Sequence, residues 1–246
     1  MSKEMSGAIG RRYLQETRYT RVGQGETRLS YPRGPLFKEY KEASVRVPLL
    51  PFKEPAPVDL WKTLAQRRSL RQYQERYLTK EELAALVWAT QGVTLVSQNY
   101  LLRTAPSAGA LYPVETYLAI HKVEDMEPGI WHLCLPDFSL ELLQGTDSRQ
   151  VLVQACLGQR FMGEASVDFI WTGILNRAMW KYRERAIRYV FLDAGHICQN
   201  LMLAATALNL GCCPVGAFFD DEVESLVGAD GIEEVALYLA SVGPLS

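Results

Sequence analysis

Two stretches of the chain carry side chains suited to holding an anion against a flat ring. Arg67-Arg68-Ser69-Leu70-Arg71 offers three guanidinium groups, whose planar forks match a phosphate or carbonyl oxygens. The run from Thr104 to Pro113, Thr-Ala-Pro-Ser-Ala-Gly-Ala-Leu-Tyr-Pro, follows after about a helix and a loop. Its Pro-Ser-x-Gly segment cannot continue a helix or a central strand, because proline fixes φ and removes a donor. Small residues around Gly109 let backbone amides approach a flat ligand closely. In this order the two stretches point to an anionic ligand with a planar ring. Read singly, each is a surface loop or a solvated helix end.

Composition sets the bounds. The 246 residues are 48% hydrophobic, enough for a substantial core and too many for a disordered chain. The formal charge of −2 gives no electrostatic basis for nucleic-acid binding. No apolar run approaches the roughly 20 residues of a membrane span. The opening Met-Ser-Lys-Glu-Met-Ser lacks the apolar core of a signal peptide, so the expected location is the cytoplasm. Five cysteines, Cys134, Cys156, Cys198, Cys212 and Cys213, stand in apolar surroundings without disulfide or metal spacing and read as buried thiols. His121, His132 and His196 are far apart, and no metal site is expected.

The elements that must position these groups are legible in outline. Residues 1–57 read as an extended amino-terminal arm, and residues 58–246 as the folded domain. Asp59 caps a predicted helix running to about Arg68, with Leu60, Trp61 and Leu64 at helical spacing. Thr79-Lys80-Glu81-Glu82 has the form of a capping box, and Gly92 stops the helix that follows. Strands are predicted over Glu115–His121, Gly129–Leu133, Ser139–Leu143 and Val167–Gly173. Residues 148–157 read as helical. A long helix is predicted from Arg188 to Leu208, ended by Gly211; close packing is the expected reason for Gly195 within it. Cys212–Phe218, Asp220–Val227 and Val235–Val242 then read as strand, helix and strand. Helices flanking a mostly antiparallel sheet make this an α+β fold.

At this level of detail the chain resembles the nitroreductase superfamily, and within it the SagB-type, or thiazoline/oxazoline dehydrogenase, branch. The resemblance rests on the Arg67–Arg71 run, Trp88–Thr94, Arg103–Pro113, Lys181-Tyr182, Arg185-x-x-Arg188-Tyr189, Ala194–Leu201, and Pro214–Phe218 with Asp220-Asp221. It covers about residues 58–243 in order. It implies a non-covalent FMN cofactor and a homodimer with flavin sites at the subunit interface. By this resemblance Arg67, Arg68, Ser69 and Arg71 hold the phosphate and the pyrimidine edge. Pro106, Ser107, Ala108 and Gly109 line the ring or ribityl chain from the second subunit, and Pro214, Val215, Gly216 and Ala217 cover one ring face. Gln159 is a further cofactor-binding candidate. Two departures stand out: the chain ends in Pro-Leu-Ser without the basic residue that many relatives place there, and Ala217 replaces a common glycine.

The same resemblance implies that Lys181 and Tyr182 are the catalytic pair, deprotonating the carbon next to an azoline ring. General-base work of this kind needs a pKa drawn toward neutrality, which burial and the cations Arg177, Arg183, Arg185 and Arg188 favour for lysine. Adjacent residues on a helix face different sides, so both reach one substrate only from a loop or helix end. The alternative is a solvated helix face with Trp180 and Tyr182 packed inward. His196 reads as a core or interface histidine. The implied function is an FMN-dependent oxidoreductase acting on a small molecule or a modified peptide. Two alternatives stay open: an NAD(P)H-dependent nitro or quinone reductase, and a flavin-less scaffold.

Overall fold

The computed structural model describes residues 8–19, 30–43, 45–96 and 101–245. Along the chain these form α1 (Ile9–Glu16), β1 (Arg46–Pro48), α2 (Leu60–Gln66), α3 (Lys80–Gln91), β2 (Val93–Val96), β3 (Leu101–Arg103), β4 (Val114–Ile120), β5 (Gly129–Cys134) and β6 (Ser139–Gln144). They continue with α4 (Arg149–Ala155), α5 (Phe161–Glu164), β7 (Val167–Ile174), α6 (Asn176–Tyr182), α7 (Ala186–Ala207), β8 (Leu210–Val215), α8 (Asp220–Val227) and β9 (Glu234–Pro244). Seven strands make one sheet in the order β1-β6-β5-β4-β7-β9-β8, and every neighbouring pair is antiparallel. The fold is α+β, with helices on both faces of this sheet.

The central strands are enclosed on both sides, and their alternation sorts side chains between two cores. From β4, Leu118 and Ile120 join Phe169 and Trp171 of β7 and the helices α3 and α7. Tyr117 and Ala119 of β4, Ile170 of β7 and Leu239 of β9 face the other way, onto Leu152, Met162 and Val223. The predicted capping box is present: Thr79 Oγ1 accepts from Glu82 N at 3.1 Å, and Glu82 Oε2 accepts from Thr79 N at 2.9 Å. Asp59 caps α2 through Lys62 N at 2.7 Å.

Several expectations need correction. The long helix ends at Ala207, and Gly211 lies inside β8, paired with Gly243. That strand stops at Val215 rather than running to Phe218. Gly195 is exposed, and a Cβ placed on it meets nothing within 4 Å; packing within the chain does not account for it. Trp180 is 38% exposed rather than packed inward, because it lies at the open end of α6 beneath the Arg33 guanidinium, 5.1 Å away. Within the segment read as an extended arm, residues 9–16 are helical and Arg46–Pro48 joins the sheet edge. Residues 1–7, 20–29 and 44 of that segment lie outside the described residues.

A row of polar and charged side chains, buried from Arg177 to Glu141 and ending at the exposed Arg46, crosses one half of the sheet. Arg177, in the first turn of α6, pairs with Glu115 on β4. Glu115 Oε2 lies 2.9 Å from His132 Nε2 on β5, and His132 Nδ1 lies 3.0 Å from Glu141 Oε2 on β6. Glu141 in turn pairs with Arg46 on β1. Burial pushes the Glu115 carboxyl up, but the His132 hydrogen bond and the Arg177 charge outweigh it, leaving it below the usual carboxylate value.

A separate buried pair generates a pH dependence. His121 Nε2 is 2.8 Å from Asp168 Oδ2, and both side chains are fully enclosed. Burial pushes the Asp168 carboxyl up to about 6, against the hydrogen bond and charge of His121. The unfolded carboxyl ionises near about 3.9, so between these values the folded state holds the extra proton. Stability from this group is complete below about pH 4 and lost as pH rises through about 6. Over that interval the wild type is expected to lose about 3 kcal/mol more than Asp168→Asn, read from denaturant midpoints at a series of pH values. Parallel pH curves for the two proteins would contradict this.

Candidate active site

The break between α6 and α7 places the first group of candidate residues. Helix α6 stops at Tyr182 because Arg183 takes φ 51° and ψ −145°, a conformation costly for a residue with a side chain. Lys181 and Tyr182 thus form the last step of a helix and escape the usual divergence of neighbours. A Cβ built on Gly109 would lie 2.5 Å from Tyr182 Oη and 2.8 Å from Lys181 Nζ. Both functional atoms therefore rest on the backbone of the Pro106–Gly109 loop. Lys181 is exposed and Tyr182 half-buried; the burial expected for a lysine base is not present within the single chain.

The loop is itself held in an uncommon shape. Gly109, Ala110 and Tyr112 have φ of 65°, 53° and 46°. Ser107 Oγ donates to Asp193 Oδ2 at 2.5 Å and accepts from Tyr112 N at 2.9 Å, while Ala108 N donates to Asp193 Oδ1 at 3.3 Å. Asp193 comes from the buried face of α7, between Val190 and Ile197. Burial pushes its carboxyl up, opposed by the Ser107 and Ala108 hydrogen bonds and the His196 charge. Sequence reasoning missed Asp193. The available signal was a carboxylate at a core position of an apolar helix, which requires a buried partner. His196 itself is exposed on α7.

The second group gathers around β8. Leu70 N donates to Cys212 O at 3.0 Å, which lays the Arg67–Arg71 run beside the strand that ends in Pro214 and Val215. The Arg71 guanidinium stands 5.5 Å from the Phe161 ring. Arg68 spends donors on the carbonyls of Ala65 and Arg67, at 3.0 and 2.7 Å. None of these three arginines makes an ion pair among the described residues. Gln159 Nε2 donates to Cys156 O at 2.9 Å and to Ala217 O at 3.1 Å, so its amide fixes the segment after β8. Gly216 is open, with only Tyr238 Cε2 within 4 Å of a built Cβ, at 3.7 Å.

The chain thus brings Lys181 and Tyr182 onto Pro106–Gly109, and Arg67–Arg71 and Gln159 onto Pro214–Ala217. No hydrogen bond, salt bridge or ring contact among the described residues joins one group to the other. The close contact at Gly109 makes a test. Gly109→Ala must displace both functional atoms and bear a left-handed φ, at a cost of about 1–3 kcal/mol. Thermal melting is expected to show that loss; an unchanged midpoint would mean that the two side chains do not rest on this loop.

Residues 64–243 match the Nitroreductase family. A nitroreductase-family protein of Methanocaldococcus jannaschii, MJ1384, is 34% identical over 186 residues, covering 76% of this chain and 91% of its own length. The trifolitoxin-processing protein TfxB of Rhizobium leguminosarum bv. trifolii is 29% identical over 144 residues, 56% of this chain and 39% of TfxB. This match supports the SagB-type branch. Among solved structures, a nitroreductase-family protein of Anabaena variabilis superposes with a TM-score of 0.77 at 27% identity, covering 96% of this chain and 47% of that one. The chain therefore spans under half the length of both the trifolitoxin-processing protein and the Anabaena chain. The family match, the identity to the archaeal relative and the shared fold agree: the chain belongs to the Nitroreductase family.

Proposed function

We propose that this protein is an FMN-dependent oxidoreductase of the SagB type, which converts a thiazoline or oxazoline in a modified peptide to the aromatic azole. The observation that carries the reading is the meeting of Lys181 Nζ and Tyr182 Oη over Gly109. A proton acceptor at a substrate carbon is needed for azoline oxidation and has no task in simple nitro reduction. The match to a protein named for trifolitoxin processing supports a peptide-derived substrate.

The donor set fits a flavin mononucleotide. Arg67, Arg68, Ser69 and Arg71 would hold its phosphate and pyrimidine edge, since these arginines have no acidic partner in the described chain. Pro106 to Gly109 would line the ring or ribityl chain, and Pro214 to Ala217 would cover one face, where Gly216 leaves room for close approach. Bound FMN supplies two-electron oxidation, and the protein contributes orientation and electrostatics. Lys181 Nζ, 5.3 Å from the Tyr182 ring centre, would take the proton from one saturated ring carbon of the azoline, and the hydride on the adjacent ring carbon is the electron pair that bound FMN would accept.

The division into two groups favours a homodimer in which each site takes one group from each subunit. Phe191 and Leu192 of α7, and Leu60, Trp61 and Leu64 of α2, leave large apolar surfaces uncovered in the single chain, as an obligate interface would. Leu192→Glu is expected to shift the protein toward monomer in sedimentation and to lower retained FMN. A second reading, an NAD(P)H-dependent reductase of nitro or quinone acceptors, draws on the broad match to the archaeal relative.

Lys181→Ala separates the two readings. The variant is expected to retain FMN by visible absorption, to lose about 100-fold or more in oxidation of a thiazoline-containing peptide, and to keep any NAD(P)H-driven nitro reduction. Wild-type azoline turnover in this variant would exclude the lysine as base.

A further inference from the structure

Helix α1 lies on the segment that follows Lys181 and Tyr182, yet it buries none of its side chains. It is attached through polar groups of residues 13–19. Tyr13 Oη accepts from Arg188 N at 2.9 Å and donates to Glu184 O at 3.3 Å. Arg185 Nη1 donates to Thr17 O at 2.8 Å, and Arg188 Nη2 to Thr17 Oγ1 at 3.5 Å. The Arg185 guanidinium also stands 4.5 Å from the Tyr19 ring centre and 5.6 Å from that of Tyr189, and its Nε donates to Tyr189 Oη at 2.7 Å. Tyr189 meets Tyr182 edge to face at 5.0 Å. A column of Tyr19, Arg185, Tyr189 and Tyr182 therefore runs from this strap to Gly109.

These contacts are the means by which a protein holds a peptide. One guanidinium N–H takes a main-chain carbonyl while another is fixed on a tyrosine hydroxyl, a second arginine takes a hydroxyl, and an aromatic ring lies on the flat cation. Here the peptide held is the chain's own. Ile9 and Leu14 are 83% and 54% exposed, so no apolar burial secures the strap. Hydrogen bonds at such an exposed site contribute about 0.5–1.5 kcal/mol each, a hold that a peptide with the same groups can displace.

We propose that Glu184, Arg185, Arg188 and Tyr189 form a peptide-docking surface beside the Lys181–Tyr182 pair, which residues 13–19 occupy in cis as a displaceable strap. The proposal rests on the peptide-substrate reading for its purpose. Its test uses neither flavin nor turnover, so the two stand or fall separately.

The test uses the intact chain and a fluorescein-labelled synthetic peptide with the sequence of residues 8–19, its binding followed by anisotropy. Tyr13→Phe weakens the resident strap alone. It removes both Tyr13 Oη hydrogen bonds and is expected to raise hydrogen exchange of the 9–16 amides, and affinity for the added peptide, by about tenfold or more. Arg185→Ala is expected to raise the same exchange and to abolish peptide binding. Arg185→Lys, which keeps the charge and the stem at the α6–α7 junction, loses binding as well, because a lysine cannot reproduce the fork. Equal peptide affinity in the Tyr13→Phe and both Arg185 variants would overturn the proposal, and so would absence of binding to all of them.

Discussion

A charge enclosed in a sheet has to be paired where it stands, and this requirement organises the half of the molecule that carries Lys181 and Tyr182. The row Arg177, Glu115, His132, Glu141 and Arg46 steps from helix α6 across β4, β5 and β6 to β1. Where both partners are buried, as at Arg177 and Glu115, removing one typically costs about 3–5 kcal/mol, because the other charge is left uncompensated. The row is therefore a set of fixed points. One end pins the first turn of α6, a single turn before Lys181 and Tyr182. The other end holds the edge strand contributed by the amino-terminal region.

Strain collects on the far side of that same helix. Arg183, Ala110 and Tyr112 all carry positive φ without being glycine, and all three flank the meeting of Lys181, Tyr182 and Gly109. Such conformations persist only where the surroundings over-determine them. Asp193 supplies much of that constraint from α7, holding Ser107 and Ala108 together. The second group of candidate residues sits on a different scaffold, β8 and its flanks. In the homodimer proposed above, the uncovered apolar faces of α2 and α7 would bring two groups from two copies together.

Much of the scaffold could be read from local chemistry. The Thr79–Glu82 box, the Asp59 cap, and the strands beginning near Val114, Gly129, Ser139 and Val167 depend on neighbours within a few residues, and the sequence carries those signals directly. What could not be read depends on distant partners. Arg46–Pro48 is too short to declare itself as a strand; it exists because Glu141 and Leu140 lie opposite. Helix α1 is amphipathic, but its apolar residues Ile9 and Leu14 stay exposed, so its pattern points to no core in this chain. Asp193 takes its role from Ser107, 86 residues away in the sequence. The reach of Lys181 and Tyr182 to one point needed the turn at Arg183, a backbone state that an arginine does not announce. Gly195 carries no packing signal of its own: among the described residues nothing lies within 4 Å of a Cβ placed there.

The position of β9 has a consequence for how the protein is made. This strand lies between β7 and β8, although it is the last of the strands in sequence, and β8 has no other partner in the sheet. Until residues 234–244 leave the ribosome, β7 presents an open edge, and β8 has only the bridge from Ser69 to Cys212 to hold it. Unpaired edges of this kind recruit other chains, and closure waits for long-range pairing, which is slow. The sheet therefore cannot be completed segment by segment during synthesis. Its assembly waits on residues 234–244, and the open edge of β7 must be kept from its neighbours until they pair.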